Sequence, residues 1–172
     1  MNVTRSPRVL KLAATLVAAL AASSGTLAQS GSGAYAGISI GDAADFGTVV
    51  KLYGGAPLDP RFGWEVQYTD FGSVNEQTPF GTAKASASAL GGSLVGHLPL
   101  QTNLSGFGKI GVHFVNAKAS LAGVSASDTS TELGFGVGLL WQVAPQWGLR
   151  AEFENIGGSG GNLITVGAQI KF

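Results

Sequence analysis

The 172-residue chain contains no cysteine. That excludes a disulfide framework, a thiolate metal site and a lipid-bearing N-terminal cysteine. Charge is scarce too: Asp, Glu, Lys and Arg make up 12% of the residues, against about a quarter in an ordinary soluble domain. The ten basic and ten acidic residues cancel, and no basic stripe emerges, so nucleic acid is not an expected partner. Beyond residue 28 no run approaches the roughly 20 apolar residues of a membrane-spanning helix. What the chain does have is glycine, 27 of it, and strict alternation.

The first 28 residues read differently from the rest. Arg5, Arg8 and Lys11 precede the apolar stretch LAATLVAALAA and small residues ending at Ala28. A charged start, an apolar centre too short to span a bilayer well and a small-residue end predict a cleaved signal peptide over 1–28. The remaining 29–172 form one domain, exported and mildly acidic. Three of the ten basic residues lie in the leader, leaving seven against ten acidic, a net of −3.

Within 29–172 apolar residues recur at every second position, the period of a strand. Trp64, Val66 and Tyr68 oppose Glu65, Gln67 and Thr69; Ile110, Val112 and Phe114 oppose Lys109, Gly111 and His113. Eight such segments occur, near 34–40, 49–56, 62–71, 84–98, 104–118, 128–143, 147–155 and 162–172. Tight proline-bearing turns (PLDPR, PLQTN, APQ) alternate with longer Gly- and Ser-rich connections such as 72–82 and 157–161. Short turns at one end and longer loops at the other predict an all-β fold, an eight-stranded antiparallel up-and-down transmembrane β-barrel. A soluble barrel also alternates, but turns its apolar face inward and its polar face to water. Here the opposite face carries opposed charges, which suits lipid outside.

With the aliphatics outward, the lumen is expected to hold Lys51, Lys109, Arg150 and Lys171 against Glu65, Glu132, Glu152 and Glu154. Buried charges must be paired, because one left alone costs several kcal/mol. Two readings follow: a packing network that fills the barrel, or an ion path. If PLDPR centres near Asp59, Lys51 faces Gln67 and lies diagonal to Glu65. Phe62, Trp64, Trp141 and Trp147 flank tight turns and, with Phe172, suit a membrane-interface girdle, while Tyr68, Phe114 and Phe153 suit the other.

Sites for chemistry are sparse. PLQTN would pair His97 with Ser105 and His113 with Ala89, about eight residues or roughly 26 Å apart, too far to share a metal. The glycines of GFGVG (134–138) lie within a strand, so a phosphate loop is not expected. A barrel esterase acting on lipid A needs a His-x-Ser pair; Val115 stands where that serine would be, so no nucleophile adjoins His113. No catalytic residue, metal or cofactor is predicted.

The segments VKLYGGAPLDPRFGWEVQYTDFG, LPLQTNLSGFGKIGV and VGLLWQVAPQWGLRAEFENIG…ITVGAQIKF, in this order and spacing, resemble the OmpA-like transmembrane domain of outer-membrane β-barrel proteins. The resemblance covers nearly all of 33–172. It implies a place in the outer membrane of a Gram-negative bacterium, in contact with its lipid, lipopolysaccharide included. It also implies delivery by periplasmic chaperones and insertion by the barrel-assembly machinery, for which Val166, Ala168, Ile170 and Phe172 are similar to the C-terminal insertion signal. The chain departs from full-length OmpA in having no peptidoglycan-binding segment after Phe172, so wall tethering is not implied, and its outer loops read as short for an adhesin. The expected role is structural or surface-related with a filled lumen. The alternatives are a small-solute or hydrophobic-compound channel, as in OmpW-like barrels, and a lipid A-modifying enzyme.

Overall fold

Alternation along eight segments gives eight strands that close on themselves. The computed structural model describes residues 33–44, 46–78, 81–121, 124–157 and 161–172. The predicted leader lies outside them. In chain order the strands are β1 (Tyr35–Ala43), β2 (Gly47–Pro57), β3 (Phe62–Thr78), β4 (Gly81–Gln101), β5 (Leu104–Leu121), β6 (Val124–Gln142), β7 (Trp147–Ile156) and β8 (Gly161–Lys171). Each pairs antiparallel with its neighbour, and β1 with β8, so the sheet has no open side through its middle. The closing seam runs from Tyr35↔Lys171 to Ala43↔Leu163, and the Phe172 N–H donates to the Ala34 carbonyl at 2.8 Å.

The faces divide as the alternation requires. Leu133 is 72% exposed and Ile110, Phe135, Val137, Ile164 and Val166 also stand outward, whereas Lys51 is 0% exposed and faces the lumen. In water this arrangement would expose a continuous band of aliphatic side chains; in a bilayer that band is solvated by lipid.

Two registers differ from expectation by two residues. Lys51 faces Thr69, not Gln67, which faces Tyr53, and Glu65 faces Gly55. The turn centres one residue later than expected because the Asp59 carboxylate accepts the N–H groups of Arg61 (2.7 Å) and Phe62 (2.8 Å), while the Leu58 N–H donates to the Phe62 carbonyl. Likewise His97 faces Phe107 and His113 faces Gly91, with an irregularity between Pro99 and Gln101. The histidines are therefore about six residues apart along the strand, roughly 20 Å. A shift of two keeps every side chain on its face; a shift of one would have turned the barrel inside out.

The Asp59 turn carries a pH prediction. Its backbone hydrogen bonds from Arg61 and then Phe62 hold the carboxyl below its ordinary value of 3.8. A depressed folded-state value means that the stabilisation is present above about pH 4 and is lost as pH falls through the depressed value. Asp59→Asn keeps the acceptor without the titration. Unfolding midpoints of the two proteins should therefore converge as pH drops from about 5 to 2; a gap constant across that range would contradict the argument.

Of the segment 72–82, expected to be a loop, the described residues 72–78 and 81–82 are strand instead: Ser73↔Ser86 continues to Thr78↔Gly81 after a bulge. At the bulge Gly72 has φ +74°, and its N–H donates to the Asp70 carboxylate at 2.7 Å. Strands β3 to β6 run to 17, 21, 18 and 19 residues, whereas β1, β2, β7 and β8 have 9 to 11. Pairing of β2 with β3 stops at Val50↔Asp70 and that of β6 with β7 at Gly134↔Ile156. Beyond those points β3–β6 continue as a four-stranded sheet past the rim, at the end opposite the tight turns. The composition suggests a loop because Gly72, Asn75, Glu76 and Gly81 are weak strand formers; the pairing between long neighbours supplies what the residues alone do not.

Candidate functional site: the lumen

The lumen is built in three levels. At the tight-turn end Tyr35, Tyr53 and Phe107 reach in from β1, β2 and β5. The Arg150 guanidinium from β7 lies between two of these rings, 4.4 Å from the centroid of Tyr53 and 4.2 Å from that of Phe107. Stacked so, it holds its planar face against π-systems while its edge donors point at carboxylates.

Above it lies a cluster of three cations and three anions, all buried. Arg150 Nη1 meets Glu65 Oε2 at 2.5 Å, and Nη2 meets Glu65 Oε1 at 3.1 Å and Glu152 Oε2 at 2.9 Å. Lys109 Nζ reaches Glu152 at 2.5 Å, Glu154 at 2.8 Å and Glu65 at 3.5 Å, and donates to the Gln67 side-chain oxygen. Lys51 Nζ reaches Glu152 at 2.7 Å and Glu154 at 3.3 Å. Gln67 Nε2 donates to Glu154 at 3.0 Å and Tyr35 Oη to Glu65 at 2.9 Å. Strands β2, β3, β5 and β7 are thus tied across the lumen, not along neighbouring pairs. Glycines make the room: a Cβ on Gly136 would lie 3.0 Å from Lys109, and one on Gly138 2.4 Å from the Phe107 ring.

The third level is apolar. Ala43, Val49, Phe71, Ala87, Ala89, Val115, Ile156 and Leu163 form one buried cluster, with Phe46 packed on Phe71 at 5.4 Å between ring centroids. His113 marks the boundary, fully buried, its Nε2 3.7 Å from Glu154 Oε1, with Gly91 and Gly134 on either side of the ring.

Of the eight predicted interior charges, Lys51, Glu65, Lys109, Arg150, Glu152 and Glu154 come together. Glu132 and Lys171 do not. Both have the right parity and the wrong level: Lys171 ends β8 exposed at the tight-turn rim, and Glu132 stands partly exposed on β6 just past the last residue of β7. The expected Lys51–Glu65 diagonal contact is replaced by the reach from Lys51 to β7. Phe62, Trp64, Trp141 and Trp147 stand exposed on the outer wall beside the tight turns, Tyr68 is half-buried farther up β3, and Phe114 and Phe153 face outward. Along β8, Val166 faces outward and is exposed, and Ala168, Ile170 and Phe172 are half-buried. The apolar level departs from the expectation of a charged lumen. Its signal was present where two apolar residues adjoin, as in Val49–Val50 and Leu163–Ile164, because such a pair places oil on both faces.

Among the described residues no group of three or more His, Asp or Glu is placed to hold a metal. A closed antiparallel barrel with an apolar outer wall, tight turns at one end and an ion-paired lumen defines an outer-membrane transmembrane barrel. The chain belongs to the outer membrane protein beta-barrel domain family, whose model matches residues 12–172. Its fold is similar to that of Neisserial surface protein A, at 18% identity over 81% of this chain and 94% of that one, TM-score 0.59. It is also similar to Ail, the attachment invasion locus protein of Yersinia pestis, in complex with the heparin analogue sucrose octasulfate (17% identity, 81% and 99% covered, TM-score 0.57). The N-terminal β-barrel domain of Pseudomonas aeruginosa OprF matches at 13% identity over 83% of this chain and 100% of that one, TM-score 0.61. At these identities the likeness is one of fold. No curated protein sequence matches the chain.

Proposed function

We propose that this chain is a closed, non-conducting barrel that serves the outer membrane structurally and carries a four-stranded sheet on the cell surface. The observation that supports it is the balanced cluster of three cations and three carboxylates crossing the lumen, stacked between an aromatic level and an apolar one. An ion entering such a lumen would have to break several buried ion pairs at once, each side of which would then stand unsolvated. An eight-stranded barrel is just wide enough for side chains to fill it, so no second route remains beside them.

The expected result in planar bilayers is silence: purified, folded protein inserts without steady single-channel openings. Reproducible openings of fixed amplitude would establish the channel reading instead. The lumen also supports a non-enzymatic role, since every carboxylate in it is engaged by a cation and Val115 follows His113 on the inward face. Mass spectra of lipid A from cells with and without the protein should then be identical; a changed acyl pattern would overturn this part. For biogenesis, the outward Val166 and the aromatic Phe172 beside the β1–β8 seam support reading β8 as the segment presented to the assembly machinery.

A further inference from the structure

The outer wall is recessed near its tight-turn end. Across β5 to β8 one row of outward positions reads Gly106↔Leu139↔Ala151↔Val166, and the next row toward the turns reads Leu104↔Trp141↔Leu149↔Ala168. Gly106 and Ala151 leave the first row low between taller neighbours. Along β6 the exposure of outward leucines falls from 72% at Leu133 to 47% at Leu139. The result is an open groove of about 720 Å³ lined by Leu104, Leu139, Trp141, Leu149, Ala151 and Val166, with Gln101 and Asn103 at one end. Arg150 borders it too, but its guanidinium is engaged in the lumen by Glu65 and Glu152 and adds no charge to it. The polar end is fixed where it stands. After the irregularity between Pro99 and Gln101, Leu100 lies over the bare Gly106, its Cδ1 3.6 Å from where a Cβ would be. The Asn103 carbonyl accepts the Gln142 N–H at 2.8 Å, which ties the turn to β6.

Depth and polarity together name the occupant. Ala151 lies four residues past Trp147, about 13 Å along the strand and, at a tilt near 40°, about 10 Å nearer the bilayer midplane. That depth is inside the half-thickness of about 15 Å of the hydrocarbon core. The other end reaches the turn level, where Gln101 and Asn103 are exposed and each amide can donate. A groove that is apolar at hydrocarbon depth and hydrogen-bonding at the interface fits a molecule graded in the same sense. We propose that it binds one phospholipid of the periplasmic leaflet. An acyl chain lies along Leu139, Ala151 and Val166, and the phosphodiester accepts hydrogen bonds from the Gln101 and Asn103 amides. No cationic side chain projects into the groove, so zwitterionic and anionic headgroups are taken alike. The site goes beyond the proposed function and needs only the short-turn end to be the periplasmic one, as in the class.

The test uses the purified, folded barrel in neutral detergent, with native mass spectrometry counting retained lipid. The probe is dipalmitoyl phosphatidylethanolamine, compared with dipalmitoyl phosphatidylglycerol and with dipalmitoylglycerol, which lacks the phosphate. The wild type should retain a single molecule of either phospholipid equally well. At about fivefold for each amide hydrogen bond, Gln101→Ala with Asn103→Ala should weaken retention roughly 25-fold, and omitting the phosphate should act similarly on the wild type. Ala151→Phe fills the recess and should abolish the retained lipid. Val66→Phe adds bulk to the outer wall on β3, away from the groove, and should leave it. A heat-dependent mobility shift reports that each variant is folded. Equal retention by wild type and either groove variant would overturn the inference. So would equal retention of phospholipid and dipalmitoylglycerol, a marked preference for the anionic lipid, or a series of bound lipids with no step at one. Because binding in detergent is indifferent to conductance, a conducting barrel would sink the proposed function and leave this groove standing.

Discussion

Glu152→Gln is expected to destabilise the folded barrel by about 3–5 kcal/mol, the range for leaving a buried charge without its partner. The carboxylate meets all three cations, with Lys109 at 2.5 Å, Lys51 at 2.7 Å and Arg150 at 2.9 Å. The amide is nearly isosteric, so packing hardly changes. What changes is balance, because three buried cations then face two carboxylates. Adding Lys51→Met should restore most of the loss, since two cations against two anions remain and the methionine fills the lysine's volume with apolar atoms. A double-mutant cycle read by urea unfolding in lipid measures the coupling directly. A double variant no more stable than the single one would show that shape, not charge balance, governs this level.

Val137→Arg is the second large effect. Val137 stands midway along the outward series Leu133, Phe135, Val137, Leu139 and Trp141, and it is 59% exposed. On a water-facing sheet an exposed valine tolerates arginine within about 0.5 kcal/mol. At the middle of a lipid-facing band the same change costs about 2–4 kcal/mol. Equilibrium unfolding of the two proteins in bilayers distinguishes these values. A neutral outcome would mean that the outer wall is not solvated by hydrocarbon, and the whole reading of the faces would fail with it.

The two effects test opposite sides of one wall, and they separate what was legible in the chain from what was not. Trp64, Val66 and Tyr68 against Glu65, Gln67 and Thr69 state which side of β3 is oily without any neighbour being known. Proline-bearing turns at alternate connections add the strand count and the direction of the ends. The reach of the surface sheet was not fully legible: 84–88 alternate and read as strand, whereas Ser73 to Thr78 carry no alternating apolar face, and only pairing with β4 keeps them extended. Nor was the apolar level, since the adjoining pairs at strand ends were read through one face alone.

Alternation is local chemistry, and by itself it determined the fold class, the outward face and the list of inward charges. Tertiary structure alone decided which of those charges meet. Lys51 and Glu154 are 103 residues apart in sequence, and Arg150 and Glu65 are 85. Their contacts run across the lumen, so they depend on how the sheet closes and on a stagger that accumulates from every turn. The Asp59 turn moved one register by two residues, which changed no face but changed every partner. That is why parity was readable in the residues, while level along the axis, which put Glu132 and Lys171 outside the cluster, waited for the closed barrel.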